Sequence, residues 1–571
     1  MIDKLKEHRY EMLILVLFII TSLSALVLFE SWVVRFFAIS LSGCLYLGVY
    51  YLRELIGRWK SLNKWFFVIF LISLAYTIKG TYSIFRCYTI NTYYGIAGIT
   101  AGILLVYLLE LIYVGLFIRK WRIENLFLIS ALLLGPVYMI NLPINTTPDE
   151  DYHYNSAYKL SSVLMGYNRF EDESFVMRKC DFDYELPNHN YDFEEMEAYL
   201  QTFTEPCGNT VSVVNPTARV MNSSKSAFMH LVPGIGITIA RLLGLNTALL
   251  GIMGRMGNFL VYLLVGFWAL KKMPFNKPLL FGTLLLPMSL QQCTSLSYDT
   301  IAISLSVFTI AYGFNLLEKN KIEKYEYFVM IISMLILFFT KSKAYFAVAL
   351  FPLFLMLLKR TGILQKYQKV IRNIGIIAGF VAVFYVVYTA ATGGNMFAEP
   401  DRILVLDNTE FQGYTIQYCL NHPLEIFNLY VNTSVQYIYG YMTMMLGSAL
   451  GWVNVRTPDL AIFVFSVLLI LFAFKRKGDH HKVSKYVKIY FFVAILITYV
   501  GVLTALLLDY TPLGFLYVYG VQGRYFLPIM IPLLLLLHSD SIEVDQKLDR
   551  YLLFFFICNA VFTVLSINPR L

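Results

Sequence analysis

From Met12 onward the chain repeats one pattern: an apolar run of about twenty residues, a short polar link, then another apolar run. Within each run the apolar positions are continuous rather than alternating. A helix needs ~20 mostly apolar residues to cross the hydrocarbon core, whereas strands of a membrane barrel alternate between lumen and lipid. The pattern therefore predicts helices, in which every backbone group is bonded within its own segment. The expected spans are 10–29, 32–52, 65–85, 93–118 and 125–143, followed by a polar segment, 144–228. Further spans follow at 249–270, 278–294, 299–317, 326–340, 344–358, 373–391, 459–474, 487–508, 523–538 and 550–567. The first run could be a signal peptide. It is long, shows no small-residue cleavage site and is followed at once by a second run, which favours an uncleaved helix.

The expected fold class is thus an all-α polytopic membrane protein of about 14–15 transmembrane helices, with a large loop after the fifth. Composition agrees. Of 571 residues 58% are hydrophobic and only 15% charged, too few charges to cover soluble domains at this length.

Charge adds an orientation. The net charge is +9, yet 144–228 holds 14 acidic and 6 basic residues, so the rest of the chain carries +17. Basic residues gathered in short loops mark the cytoplasmic side. With the N-terminus inside, the inner links are 53–64, 119–124, 271–277, 318–326, 359–372, 475–488 and 539–550. All but the last are clearly basic, as with Arg119, Lys120 and Arg122. This reading requires that two apolar stretches, 230–244 and 432–452, do not span, and they are expected to be interfacial or re-entrant. For the second, a plain amphipathic helix without functional meaning is an equal reading. Segments 144–228 and about 392–458 then lie outside a cell membrane. No basic run has the form of a nucleic-acid patch, so no nucleic acid is expected as a partner. Cys180 and Cys207 share the first outer segment and are either a disulfide or two free thiols. The other five cysteines sit in or near apolar runs as small core residues.

Candidate chemistry collects on the outer face. Thr147-Pro148-Asp149-Glu150-Asp151-Tyr152-His153 is the densest cluster. Pro148 disfavours helix before it and can start one after it, which would set Asp149 and His153 on one helix face. Such an acid can serve as a general base or a metal ligand, and an acidic first turn of an ordinary helix is the plainer reading. A divalent metal is an open expectation, and no other cofactor is assigned. Asp299 follows Ser297 and Tyr298 at a helix start, where capping alone would explain it. Lys341 and Lys343 lie on the outer side, where topology does not call for them and snorkelling to headgroups is the simple alternative. Arg255 lies early within an apolar run, and Arg524 follows Gly523 before another span. Ionisable groups in or at the edge of a membrane are costly and mark functional sites by default. A guanidinium suits a phosphate.

In order along the chain, Thr147-Pro148-Asp149-Glu150-x-x-His153, Pro233-Gly234-Ile235-Gly236, Gly254-Arg255-x-x-Asn258, Leu286-Pro287-Met288 through Ser297-Tyr298-Asp299, Lys343-x-Tyr345 and Gln522-Gly523-Arg524-Tyr525-Phe526-Leu527-Pro528 form a set. It resembles a bacterial family of large membrane proteins, catalogued as a domain of unknown function, over roughly residues 121–571. That family is similar to the GT-C glycosyltransferases, which take a sugar from a polyprenyl-phosphate donor outside the cytoplasm. The resemblance implies a GT-C-like domain over 121–571 behind an N-terminal four-helix bundle at 1–120. It also implies catalysis by Asp149, with Glu150 second. Substrate binding is expected from His153, Arg255, Asp299, Lys341, Lys343, Tyr345, Arg524 and Tyr525.

The reading is therefore an inverting glycosyltransferase of the bilayer. It would use a polyprenyl-phosphate-linked sugar donor and a cell-envelope glycan or lipid-linked acceptor. Its rivals are a polymerase or ligase using a lipid diphosphate donor, and a transporter of lipid-linked glycan without chemistry. Transporters tend to show internal repeats and midplane charges. This chain shows no convincing repeat, and its charges stand at the outer edge.

Overall fold

The computed structural model describes residues 108–184, 228–361 and 409–567 continuously, with short stretches and single positions elsewhere. The expected spans 32–52 and 65–85 lie outside the described residues, as does most of 10–29, of 373–391 and of the 1–120 bundle. Of the span expected at 93–118, Leu108–Ile118 is described and helical.

Apolar runs become helices as the pattern requires. The helices that build the site are α1 (Ile123–Asn141), α2 (Glu150–Leu164), α3 (Leu231–Leu242), α4 (Thr247–Lys272), α5 (Lys277–Leu285), α6 (Pro287–Cys293) and α7 (Asp299–Glu318). They are followed by α8 (Lys324–Phe339), α9 (Phe351–Thr361), α10 (Pro423–Leu446), α11 (Asp459–Ala473), α12 (Lys485–Tyr510) and α13 (Asp549–Leu565). Among the described residues, five helices are long and apolar enough to cross a membrane: α1, α4, α7, α12 and Gln546–Leu565, which contains α13. The chain is thus mostly helical and compatible with a polytopic membrane protein.

Prolines and packing redraw several expected spans. The single helix expected at 278–294 is two, because Leu286 is extended (ψ 144°) ahead of Pro287, as the ring of a following proline favours. The span expected at 523–538 opens as a 3-10 turn, Gly523–Ile529, and becomes α-helical only at Met530–Leu535. Residues 344–358 break after Phe346–Ala349 and resume as α9.

The two stretches expected not to span differ from each other. The first is α3, which lays Gly236 against the Met253 carbonyl of α4, where a Cβ would stand 2.2 Å from the oxygen. Close crossings of this kind need small residues. Its other face exposes Leu231, Ile235, Ile239 and Leu242, in keeping with an amphipathic surface helix. The second belongs to α10, which starts nine residues before the expected stretch and runs unbroken to Gly447, a left-handed cap (φ 103°). A re-entrant break is therefore absent within α10. Its polar residues, among them Asn428, Asn432 and Gln436, leave it less apolar than the five spans. Ser434 and Tyr430 bond Tyr499 and Thr504 of α12 at 2.8 Å each.

The links expected inside are joined to one another. Lys277 pairs with Glu124 at 3.9 Å and His481 with Glu318 at 2.6 Å, while Lys319 pairs with Glu326 within its own link. Lys475 binds Asp540 at 2.6 Å and Arg476 binds Asp549 at 2.7 Å. Link 539–550 is not basic because it supplies the counter-charges for 475–482. In the acidic segment Cys180 and Cys207 form a disulfide. Beside it, Asp181 takes hydrogen bonds from Arg178, Tyr158 and Thr247 of α4, docking the segment on the bundle.

Candidate functional site

The turn 145–149 leads into α2 and shapes the site. Asp149 is not in the helix: it is its N-cap, in left-handed backbone (φ 61°, ψ 15°) that Asp tolerates better than most residues. Asp149 and His153 consequently do not share a helix face as expected. The backbone N–H of His153 donates to the Asp149 carbonyl at 3.1 Å, while the two side chains take different partners.

The Asp149 carboxylate accepts from Arg524 Nη2 at 3.1 Å, and the same guanidinium donates through Nη1 to the Pro148 carbonyl at 3.1 Å. Arg524 is 4% exposed and can be seated there because Gly523 lies against α10, where a Cβ would stand 2.4 Å from the Tyr441 carbonyl. Its Nε stands 3.8 Å from Asp299 Oδ2. Asp299 opens α7, its N–H donating to Ser297 Oγ at 3.1 Å, and its carboxylate accepts from Lys341 Nζ at 2.7 Å. Charges thus alternate: Asp149, Arg524, Asp299, Lys341. Tyr525 borders both cations, its ring 3.8 Å from Lys341 Nζ and its hydroxyl 3.2 Å from Arg524 Nη2. Tyr345 donates to the Tyr525 carbonyl at 3.1 Å, fixing that backbone. Lys341 occupies left-handed backbone (φ 47°) in the turn Thr340–Lys343. Burial pushes its ammonium down to about 8, against the opposing pull of Asp299. Lys343 is exposed and makes no hydrogen bond or ion pair with these four residues.

Glu150 and Arg255 are where the structure departs most from expectation. Glu150 is wholly buried and Arg255 is 1% exposed. Arg255 donates twice to Glu150 (2.9 and 2.6 Å) and also to the Met139, Leu142 and Pro143 carbonyls at the end of α1. A guanidinium has five N–H donors, so none is left for a phosphate. Glu150 additionally accepts from Asn145 N, Thr147 Oγ1 and Leu296 N, which fills its lone pairs. Glu150, expected as the second catalytic carboxylate, and Arg255, one of the two arginines expected to bind substrate, are each other's partners, tying α1, α2, α4 and the 294–298 turn together.

His153 meets His230 at 3.0 Å (Nδ1 to Nε2), and the Tyr298 ring stands edge-on to His153 at 4.7 Å. His230 and Tyr298 are not among the expected site residues: His230 carries no motif, and Tyr298 stands in the Ser297-Tyr298-Asp299 motif without an expected role. For a metal, Glu150, Asp149 and His153 turn to three different partners rather than toward one point. Among the described residues Cys180, Asp181 and Cys207 do bring three ligand atoms together, but both sulfurs are in the disulfide and Asp181 is held by Arg178.

Beside Arg524 lies a small cavity bounded by Pro148, Gln291, Gln292, Gly451 and Gln522, with space for barely one water molecule. Ala449, Gly451 and Val453 line one side of it, from the hairpin of Ala449–Leu450 and Val455–Arg456. Gln291 pins that hairpin, accepting from Gly451 N at 2.9 Å.

A family model described as predicted membrane protein (DUF2142) matches residues 132–534. No curated protein and no solved structure matches the chain.

Proposed function

The chain belongs to the family of predicted membrane proteins DUF2142, and on that premise we propose that it is an inverting glycosyltransferase using a polyprenyl-phosphate sugar. The observation that carries this reading is the Asp149–Arg524 contact: a carboxylate whose side chain is 34% exposed beside a buried guanidinium. In the proposed reaction an acceptor hydroxyl attacks the anomeric carbon. Asp149 takes the hydroxyl proton, the bond to the phosphate oxygen breaks, and polyprenyl phosphate departs with the electron pair. Arg524 and Lys341 steady the leaving phosphate, since charge-assisted bonds are about twice as strong as neutral ones. Asp299 holds the two cations in place. A positioned base of this kind contributes roughly 10²–10⁴-fold.

The proposed location is the non-cytoplasmic face of a cell membrane. Two features support it: the acidic balance of 144–228 and the Cys180–Cys207 disulfide, a bond characteristic of oxidising compartments. The acceptor class is a cell-envelope glycan or lipid-linked glycan.

The test is transfer in proteoliposomes supplied in parallel with polyprenyl-monophosphate and polyprenyl-diphosphate sugars. A new glycosidic bond from the monophosphate donor supports the proposal. Bond formation from the diphosphate alone favours a polymerase or ligase, and movement of lipid-linked glycan without bond formation favours a transporter.

A further inference from the structure

Gln292 has no role in the proposed reaction, yet its surroundings are incomplete. It lies on α6 and is wholly buried. Its amide nitrogen touches only Met288 Sδ, at 3.7 Å, a weak acceptor. Its carbonyl oxygen has no hydrogen-bond partner among the described residues. Burying such an oxygen unpaired is unfavourable, and native interiors rarely keep one. The neighbouring Gln291 shows the contrast: both ends of its amide are bonded to the Gly451 backbone.

Gln292 lines the cavity beside Arg524, and Arg524 brings a second incomplete group, since its buried Nε makes no hydrogen bond among the described residues. Two residues that each carry an incomplete polar group, an acceptor on Gln292 and a donor on Arg524, thus line a space about the size of a single oxygen. A hydroxyl is both donor and acceptor. A carboxylate or phosphate would set an anion against the Gln292 oxygen, and a methyl would leave both groups unpaired. Pro148, which precedes Asp149, lines the same cavity, so a group held there is one residue from the proposed base.

We propose that this cavity is a hydroxyl subsite, in which Gln292 accepts a hydrogen bond from one hydroxyl of the transferred sugar. The inference rests on the glycosyltransferase reading and extends it: Gln292 makes the enzyme selective for a sugar bearing a hydroxyl at one ring position. Sites built to bond a hydroxyl discriminate strongly against analogues lacking it, because the buried partners are left unpaired.

The test measures binding and transfer separately on the full chain in lipid nanodiscs. The probes are polyprenyl-phosphate-linked hexoses and pentoses, each with its monodeoxy counterparts. Wild type should lose about 10- to 100-fold in affinity when one particular hydroxyl is removed, and little for the others. Gln292→Met, similar in volume, should bind the parent and that deoxy donor alike, while Gln292→Glu, which keeps an acceptor oxygen, should still distinguish them. The proposal is overturned if wild type is indifferent to every single hydroxyl, or if Gln292→Met discriminates as wild type does; Gln292 then holds only a structural water. Transfer without such discrimination removes the subsite and leaves the reaction standing. Discrimination in binding without any transfer removes the reaction and leaves the subsite. If no donor binds, both fall.

Discussion

Arg524 donates to Asp149 at 3.1 Å across 375 positions of sequence. The contact fastens the turn before α2 to the turn before Met530–Leu535, and Asp299 and Lys341 extend it from two further segments. The site is therefore an assembly of four chain segments, each ending at or beside a helix start, and its parts can be tested one at a time.

Glu150 and Arg255 should behave as a buried pair rather than as separate ligands. Removing one partner leaves an uncompensated charge, which costs about 3–5 kcal/mol. Glu150→Ala and Arg255→Ala should each lower thermal stability in detergent by that order, and the double variant by less than the sum. Additive losses would mean that the two side chains do not depend on each other.

Lys341 predicts a pH dependence with two signs. In the protein without donor its ammonium is pushed down to about 8, from an ordinary 10.5. As pH rises through about 8 its charge is lost, so affinity for a phosphate donor should fall by up to about tenfold per pH unit. Stability should move the other way. Between about 8 and 10.5 the unfolded chain binds a proton that the folded chain does not, so stability rises with pH across that window. Titrating donor affinity and unfolding from about pH 7 to about pH 10, with Lys341→Met as control, checks both. The variant should flatten both curves.

The Cys180–Cys207 disulfide closes a separation of 27 residues, worth about 3–4 kcal/mol by loop-closure entropy. Replacing both cysteines with serine should destabilise the docked acidic segment by that order, read by protease susceptibility and thermal unfolding. Maleimide should label neither cysteine of the wild type until reductant is added.

What could be read in advance was local. Continuous apolar runs gave α1, α4, α7, α12 and α13 within a few residues. Local chemistry also governed the misjudged boundaries: Pro287 ends one helix by its effect on Leu286, and Asp149 leaves helical geometry for the left-handed region. Pairings were not legible, because nothing in a linear pattern shows that Glu150 meets Arg255 105 residues away. The same residue types looked catalytic until burial showed that each satisfies the other. His230 and Gln292 were missed for a related reason. A histidine before a helix or a glutamine in the last turn of one has no periodic or spacing signal, and only the packed neighbours reveal a paired ring or an incomplete amide.

The central claim is that Asp149 is the base of a sugar transfer whose leaving phosphate Arg524 holds. The most direct measurement is transfer from a polyprenyl-phosphate sugar by Asp149→Asn in proteoliposomes, with folding verified by thermal unfolding. The side chain is 34% exposed, so stability should change by no more than about 1 kcal/mol, while transfer should fall at least about 100-fold with donor affinity largely kept. Undiminished transfer by Asp149→Asn would contradict the account.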